Sequence, residues 1–496
     1  VSPANAGAEI SPHIYGHFIE HLGGVIYDGI QVGKNSRIPH ISGIRKQFVD
    51  DMKQLGAPNI RWPGGCFADD YRWRDGIGPV DKRPRTASYW GAQMPPELHG
   101  AEPNLFGTHE FMQLCRLTGA APYLAANVAS GSPREFHDWM TYCNGPAGTT
   151  TLADQRAASG DAEPFNVRFW GIGNESWNCG GMLKPAEYST LYRLFTSQMP
   201  PYGRPFLVAC GPRGHSPDHG VPWTEGFLAS MQGVSVRPRI DGLSMHYYTD
   251  FRPTQVSSDK STSDEWYAVL EKGLGIEQAI TSNWAAMKKY DPAGRIKFVI
   301  DEWGVWYSRS PSIAPGFNLA QVVTLRDAVH TAMHFDIFNR HADKIAMANV
   351  AQTINCLHSL FLAHEDKYVR TPVFHVFDMY KAHMGAKLVP VINPAGAPNP
   401  RETVSSSASV LGKQLTVTLT NPSVDAPHTV RLRIAGSLRP VEAEGRVLTH
   451  EAMNAANTFD KPGEVQPVRL DAMTSGQTLT ITLPRKSVAA FRIRLA

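Results

Sequence analysis

Two stretches of the 496-residue chain end an apolar run on a glutamate: Gly171-Ile172-Gly173-Asn174-Glu175 and Val299-Ile300-Asp301-Glu302-Trp303-Gly304. A carboxylate placed where strand becomes loop is set for acid/base or nucleophilic work rather than for packing. Two of them, from different strands, suit cleavage of a glycosidic bond. One protonates the leaving oxygen while the other attacks, or positions water at, the anomeric carbon. A separation of about 5 to 5.5 Å would mean retention of configuration, and about 6.5 to 9.5 Å inversion. The bland alternative makes each glutamate an exposed loop residue or half of a structural ion pair. Aromatic neighbours weigh against it, Trp177 near the first and Trp303, Trp306 and Tyr307 near the second. Flat rings cover the C–H faces of sugars while polar groups orient the hydroxyls.

Such carboxylates need parallel strands that all end on one face. Candidate strands fall at 13–18, 59–62, 123–126, 169–172, 206–209, 243–246, 297–300 and 346–350, most with helical sequence between them. Ile44, Phe48, Met52 and Leu55 lie at helical spacing and stop at Gly56, and a helix over 108–117 stops at Gly119. Eight β/α units predict an α/β fold, a (β/α)8 TIM barrel with long loops. An open doubly wound sheet would carry a Gly-rich phosphate turn after its first strand, and none is present. Beyond residue 385 the pattern changes. Pro390, Pro394, Pro398 and Pro400 mark a linker, and period-two runs at 415–419, 430–434, 479–483 and 491–495 read as an antiparallel β-sandwich, jelly-roll-like. The expected division is 1–12, a segment joining the sandwich; 13–383, the barrel; and 384–496, the sandwich.

A net charge of +3 without a long basic block gives no footprint for nucleic acid or an anionic membrane. No apolar stretch approaches the roughly 20 residues that span a bilayer. Six Cys are too few for a disulfide scaffold. The chain starts at Val1, which a cleaved signal peptide or simple trimming would explain; on that ground a secreted or periplasmic location is favoured over a cytoplasmic one.

The sequence resembles family 51 glycoside hydrolases, the α-L-arabinofuranosidases of the larger barrel clan. The resemblance is carried by the segments 15–24 (YGHFIEHLGG), 61–67 (RWPGGCF), 104–107 (NLFG), 171–175 (GIGNE), 246–248 (HYY) and 301–307 (DEWGVWY), in family order, and it extends through the sandwich. It implies that Glu175 is the acid/base and Glu302 the nucleophile, with net retention. By the same matching Glu20, Arg61, Asn174, Tyr248 and Gln352 hold the furanose or support the carboxylates, and Trp90 and Trp306 line the entrance. Cys66 stands at the substrate subsite where some members carry Asn, and His246 closes the sixth strand as a support for Glu302 or a furanose contact. The implied reaction releases terminal arabinofuranose from arabinoxylan, arabinan or arabino-oligosaccharides by double displacement, with no metal and no cofactor. The implied partner is an arabinose-containing oligo- or polysaccharide, with homo-oligomers common in the family. Endo-β-1,4-glucanase or β-xylosidase specificity on the same scaffold is the rival within enzymes, and a non-catalytic carbohydrate-binding protein the rival outside them.

The residues make physical sense in these roles. Asn174 can donate to the sugar 2-hydroxyl. Tyr248 or Arg61 can keep Glu302 ionised and correctly turned, while apolar surroundings and repulsion from Glu302 should leave Glu175 protonated at rest. Cys66 and Cys179 leave the same end of the barrel and could form a disulfide, but free, partly buried thiols are the commoner fate. His13, His17 and His21 repeat every four residues; on strand and loop they read as structural or substrate-orienting, not as metal ligands. The glycosylation pattern Asn174-Glu175-Ser176 reads as coincidence, because a glycan would fill the proposed site.

Overall fold

The computed structural model describes residues 1–214, 216–234, 239–308, 310, 319–392 and 399–496; of the linker prolines, Pro394 and Pro398 lie outside them. Eight parallel strands close into a barrel: β1 (Gly16–Phe18), β2 (Asn59–Trp62), β3 (Ala121–Ala126), β4 (Phe169–Ile172), β5 (Phe206–Ala209), β6 (Gly242–Asp250), β7 (Lys297–Trp306) and β8 (Ile345–Val350). All eight candidate strands are present. The first is shorter than expected, because Pro12–Tyr15 forms a 3-10 turn that Ser11 caps through the His13 amide. Tyr123, Phe169, Val208, Val299 and Met347 fill the barrel interior, while outward residues such as Trp170 and Ile172 pack under the helices. Parallel strands buried on both faces read as continuous apolar runs, which is why they were legible.

The helices follow their caps. Lys46–Leu55 buries Phe48, Val49, Met52 and Leu55 and ends on Gly56 at φ 64°; Thr108–Thr118 ends on Gly119 at φ 79°. Both glycines adopt the left-handed conformation that closes a helix without a Cβ penalty. Ile44 lies outside the first helix, paired with Ile41 in a short hairpin.

Strands β6 and β7 run further than the sequence suggested, to Asp250 and Trp306. They stay paired through a register shift between Ser244 and His246, so that His246 stands opposite Glu302 and Tyr248 opposite Gly304. A second irregularity separates β7 from β8 between Ile300 and Trp303. Bulges of this kind re-aim side chains at barrel rims. Glu302 therefore projects from a strand rather than from a loop.

The C-terminal part is two antiparallel sheets. One runs in the order Lys387–Leu388, Ser405–Leu411, Gln414–Asn421, Ser487–Leu495, Pro440–Thr449 and Val468–Arg469; the other is His428–Arg433, Thr478–Leu483 and Met473–Ser475. Val417, Phe491, Ile493, Leu432, Leu479 and Ile481 share the core between them.

Candidate active site

The C-terminal ends of β1, β2, β4, β6, β7 and β8 bring the two glutamates and the expected substrate-binding residues to one cavity of about 170 Å³, apart from Arg61, which lies directly beneath it, whereas Trp303 and Tyr307 are buried outside its lining, against His334 and Asp327. Glu20, Cys66, Trp90, Asn174, Glu175, His246, Tyr248, Glu302, Trp306 and Gln352 all line it. A larger cavity of about 410 Å³, beside Trp73 and Trp139, contains none of them.

Glu302 accepts from Arg61 Nη1 and from Tyr248 Oη, both at 2.8 Å. Arg61 is buried, stacks 4.6 Å from the Phe18 ring, donates through Nη2 to Asn174 Oδ1 at 2.6 Å, and places Nε 3.8 Å from Asp301. Burial disfavours its charge, but Asp301 and Glu302 outweigh that and hold the guanidinium above its ordinary range. Because Arg61 engages Asn174 Oδ1, the Asn174 amide nitrogen is turned toward the Cys66–Cys179 side, 3.8 Å from Cys179 Sγ. Gly65 must be glycine: a Cβ there would sit 2.7 Å from Glu302 Oε1.

Glu20 accepts from the amides of Gly65 and Phe67 at 3.0 Å, from Trp90 Nε1 at 2.9 Å and from Gln352 Nε2 at 2.9 Å. Burial, helped by the charge of Glu302, nevertheless pushes its carboxyl up to about 7. These four donors fix Glu20 in the wall of the cavity.

Glu175 occupies the other side. Its backbone sits at φ 37°, a left-handed value uncommon for a residue with a side chain. His246 Nδ1 lies 3.1 Å from Glu175 Oε1 and 3.5 Å from Glu302 Oε2, and one oxygen of each carboxylate lies within 4.8 Å of the other. Here the structure corrects an expectation. Burial does push Glu175 upward, but the hydrogen bond and charge of His246, with Asn178 and Arg213, override it and hold the carboxyl below its ordinary value. Burial works against protonated His246, yet Glu302 and Glu175 together raise it. Both shifts point the same way, toward a protonated His246 one hydrogen bond from Glu175.

Cys66 and Cys179 are joined, with Cα atoms 5.6 Å apart, so the reading that favoured free thiols is wrong. The bond ties the loop after β2 to the loop after β4, and Cys179 Sγ lies 3.8 Å from Glu175 Oε2. The histidine repeat does not form a comb. His13 bonds Asn59, His17 stacks on Phe377, and His21 bonds Glu102 and accepts from Trp62. Asn174 is buried, so its glycosylation pattern presents no accessible amide.

Sequence reasoning missed several neighbours. Asp69, buried and raised to about 7 by desolvation, accepts the amides of Val128, Ala129 and Asn174 and so braces both loops. Asp301 accepts from Tyr123 and Asn349 beneath Arg61. Tyr89, Asn178, Arg213 and Arg252 complete the rim beside Trp177, the aromatic neighbour expected for Glu175. Arg213 follows the fifth strand and so carries the same signal as the glutamates, a polar residue just past the end of an apolar run.

Comparison with known proteins places this geometry. A family model described as the α-L-arabinofuranosidase C-terminal domain matches residues 301–487, and the α-L-arabinofuranosidase 1 domain matches residues 51–251. A Bacteroides ovatus protein named an intracellular exo-α-L-arabinofuranosidase is 35% identical, across 99% of this chain and 94% of its own. The crystal structure of a GH51 arabinofuranosidase from Xanthomonas axonopodis pv. citri superposes with a TM-score of 0.90 at 36% identity, covering 99% of this chain and 98% of that one. An arabinose complex of the Thermotoga maritima α-L-arabinofuranosidase gives 0.81 at 29% identity, covering 100% and 99%. The expectation of an exported protein is withdrawn against the Bacteroides ovatus relative, whose name places that protein inside the cell. The fold, the clustered glutamates and these likenesses agree: the chain belongs to the family 51 glycoside hydrolases and is an α-L-arabinofuranosidase.

Proposed function

We propose that the enzyme releases terminal α-L-arabinofuranose from arabinoxylan, arabinan or their oligosaccharides by a retaining double displacement. Glu302 is the nucleophile and Glu175 the acid/base. The observation that carries this is the pair of carboxylates, within 4.8 Å of each other and bridged by His246 Nδ1. One oxygen of each so close to one of the other suits a shared anomeric carbon and supports the closer, retaining arrangement.

In the first step a Glu302 oxygen bonds to the anomeric carbon as the glycosidic C–O bond breaks. Glu175 gives its proton to the departing oxygen, drawing on the proton held by His246. In the second, water attacks the glycosyl ester, Glu175 takes the water's proton, and Glu302 leaves as carboxylate. Arg61 and Tyr248 fix the attacking oxygens, and Asn174, its Oδ1 held by Arg61, directs its amide N–H toward the sugar 2-hydroxyl. Glu20 and Gln352 receive the far hydroxyls of the ring.

Exo action is supported by the cavity's size, about 170 Å³, below the roughly 300–1,000 Å³ of pockets for drug-sized ligands. It agrees with the name of the Bacteroides ovatus relative. In this reading residues 13–383 are the catalytic unit and 384–496, with 1–12, an accessory sandwich; the Val1 ammonium donates to Arg433 O and the Gly7 amide to Leu388 O.

The test is covalent trapping with a furanose-shaped epoxide or aziridine, followed by peptide mapping, and NMR of the first-formed product. A label on Glu302 and an initial product of unchanged anomeric configuration are expected. A label elsewhere, or an inverted first product, would end the proposal.

A further inference from the structure

Arg213 and Arg252 line the cavity near enough to Glu175 for their charges to act on one another. The leaving-group oxygen has to lie against the acid, so whatever is attached to that oxygen leaves past these residues. The two arginines differ in how they are held. Arg252 stacks 4.0 Å from the Trp306 ring and grips Asp250 through Nε and Nη2. Arg213 reaches the same aspartate only at 3.8 Å, lies 5.9 Å from the Trp177 ring, and among the described residues its guanidinium has no hydrogen bond. One carboxylate thus serves two guanidiniums, and Asp250 is already held low by Arg252 and Lys272. The surplus positive charge belongs to a planar, half-exposed guanidinium that faces the path of the leaving group. A guanidinium with open N–H groups is the side chain best shaped to accept a carboxylate in bidentate fashion. Three carboxylates line the pocket itself, so an anion would be repelled from the furanose site and accepted only at this rim.

We infer that Arg213, supported by Arg252, forms an anionic subsite on the leaving-group side, so that the enzyme favours arabinofuranosides whose aglycone carries a carboxylate, as in an acidic, uronate-bearing oligosaccharide. The inference rests on the reading of Glu175 as the acid, which fixes the side on which the aglycone leaves. Arg213 acts here as a specificity-determining residue and takes no part in bond breaking.

The experiment compares 3-carboxyphenyl α-L-arabinofuranoside with its methyl ester, which has nearly the same shape and no charge. Wild type and Arg213→Met are assayed at pH 7, and the quantity of interest is the acid-to-ester ratio of kcat/KM in each protein. Differences in leaving-group acidity, and any effect of Arg213 on Glu175 itself, cancel when the two ratios are compared. The ratio should fall about fivefold in Arg213→Met, the upper end for a half-exposed ion pair, and the loss should lie in KM. Arg213→Lys should recover part of it. In wild type, 0.5 M NaCl should shrink the preference for the acid without a matching effect on the ester. Equal ratios in wild type and Arg213→Met, or a ratio in wild type that salt leaves untouched, would overturn the inference. Failure of the wild type to hydrolyse even the neutral ester would instead strike at the proposed function, so the two claims fail separately.

Discussion

His246 stands between the two carboxylates, 3.1 Å from one and 3.5 Å from the other, and through it pH acts on the site. Although burial opposes its charge, the flanking carboxylates raise it above 6.5, and Glu175 is correspondingly lowered. The proton needed by the leaving group is retained until pH climbs through the raised histidine value. The alkaline limb of kcat/KM should therefore lie above pH 6.5 in wild type. In His246→Asn only Glu175 can hold that proton. Without His246 nothing of that strength holds Glu175 down, so the limb should then report the carboxyl alone and leave its wild-type position, with kcat at pH 7 down about 10- to 100-fold. A pH–rate profile measures both, and an unmoved limb would show that His246 does not hold the proton. Glu302→Gln removes the proposed nucleophile and should cost at least about 10⁴-fold in kcat, read from nitrophenyl arabinofuranoside turnover.

Among elements, the loops after β2 and β4 matter most, because one carries Gly65 against Glu302 and the other carries Glu175. The Cys66–Cys179 bond joins them across a sequence separation of 113 residues. A disulfide stabilises a protein by about 2–4 kcal/mol in typical cases, and a long closed loop lies at or above the upper end. Cys66→Ser/Cys179→Ser should therefore melt at lower temperature, and kcat should fall because the Glu175 loop loses its tether while β7 keeps Glu302 in place. Reductant should reproduce both effects in wild type and leave the double variant unchanged. Calorimetry with parallel rate measurements decides it; identical melting and rates with and without the bond would show that it is incidental to the loops. Helix 325–340 illustrates another element-scale device. Its first turn is capped by Asp327, which accepts from the Thr324 amide at 2.7 Å and from Tyr307 of the β7 end at 2.8 Å.

At the scale of the molecule, barrel and sandwich meet through buried polar groups as well as through a continuous apolar core that includes Val424, Leu448 and Val488. Asp336 is central, receiving hydroxyls from Tyr380, Ser405 and Thr418. Burial raises it from 3.8 to about 7, against the pull of Ser405 and Tyr380. Its folded-state value is raised, so the folded protein binds a proton there that the unfolded chain has lost. The associated stability is complete below pH 3.8 and disappears as pH rises through about 7. Asp336→Asn supplies N–H groups permanently, and the surrounding hydroxyls can accept from them. The variant should gain melting temperature relative to wild type at pH 8, by about 2 °C or more, with a gain that shrinks steadily as pH falls toward 3.8. A Tm difference independent of pH would count against a protonated Asp336.

The same interface explains which strands were hard to read. Strand Ser405–Leu411 buries Ser405, Ser407 and Ser409 against Asp336, Asn339 and His383, so its inward face is polar and the apolar alternation vanishes. Strand Pro440–Thr449 exposes most of its first half. By contrast the runs at 415–419, 479–483 and 491–495 face an apolar core and announce themselves. Local chemistry therefore determined the eight barrel strands, the caps at Gly56 and Gly119, and the glutamates that end β4 and lie on β7. Those features depend on residue type and spacing, which a chain carries along its length. Three things were decided only by the fold: that Cys66 and Cys179 bond, that the shifts favour the proton on His246 rather than Glu175, and that Arg213 is left short of a partner. Each depends on distances between loops far apart in sequence, and on burial. Charge and hydrogen bonding fall off over a few ångströms, so they cannot be read until the chain has brought the groups together.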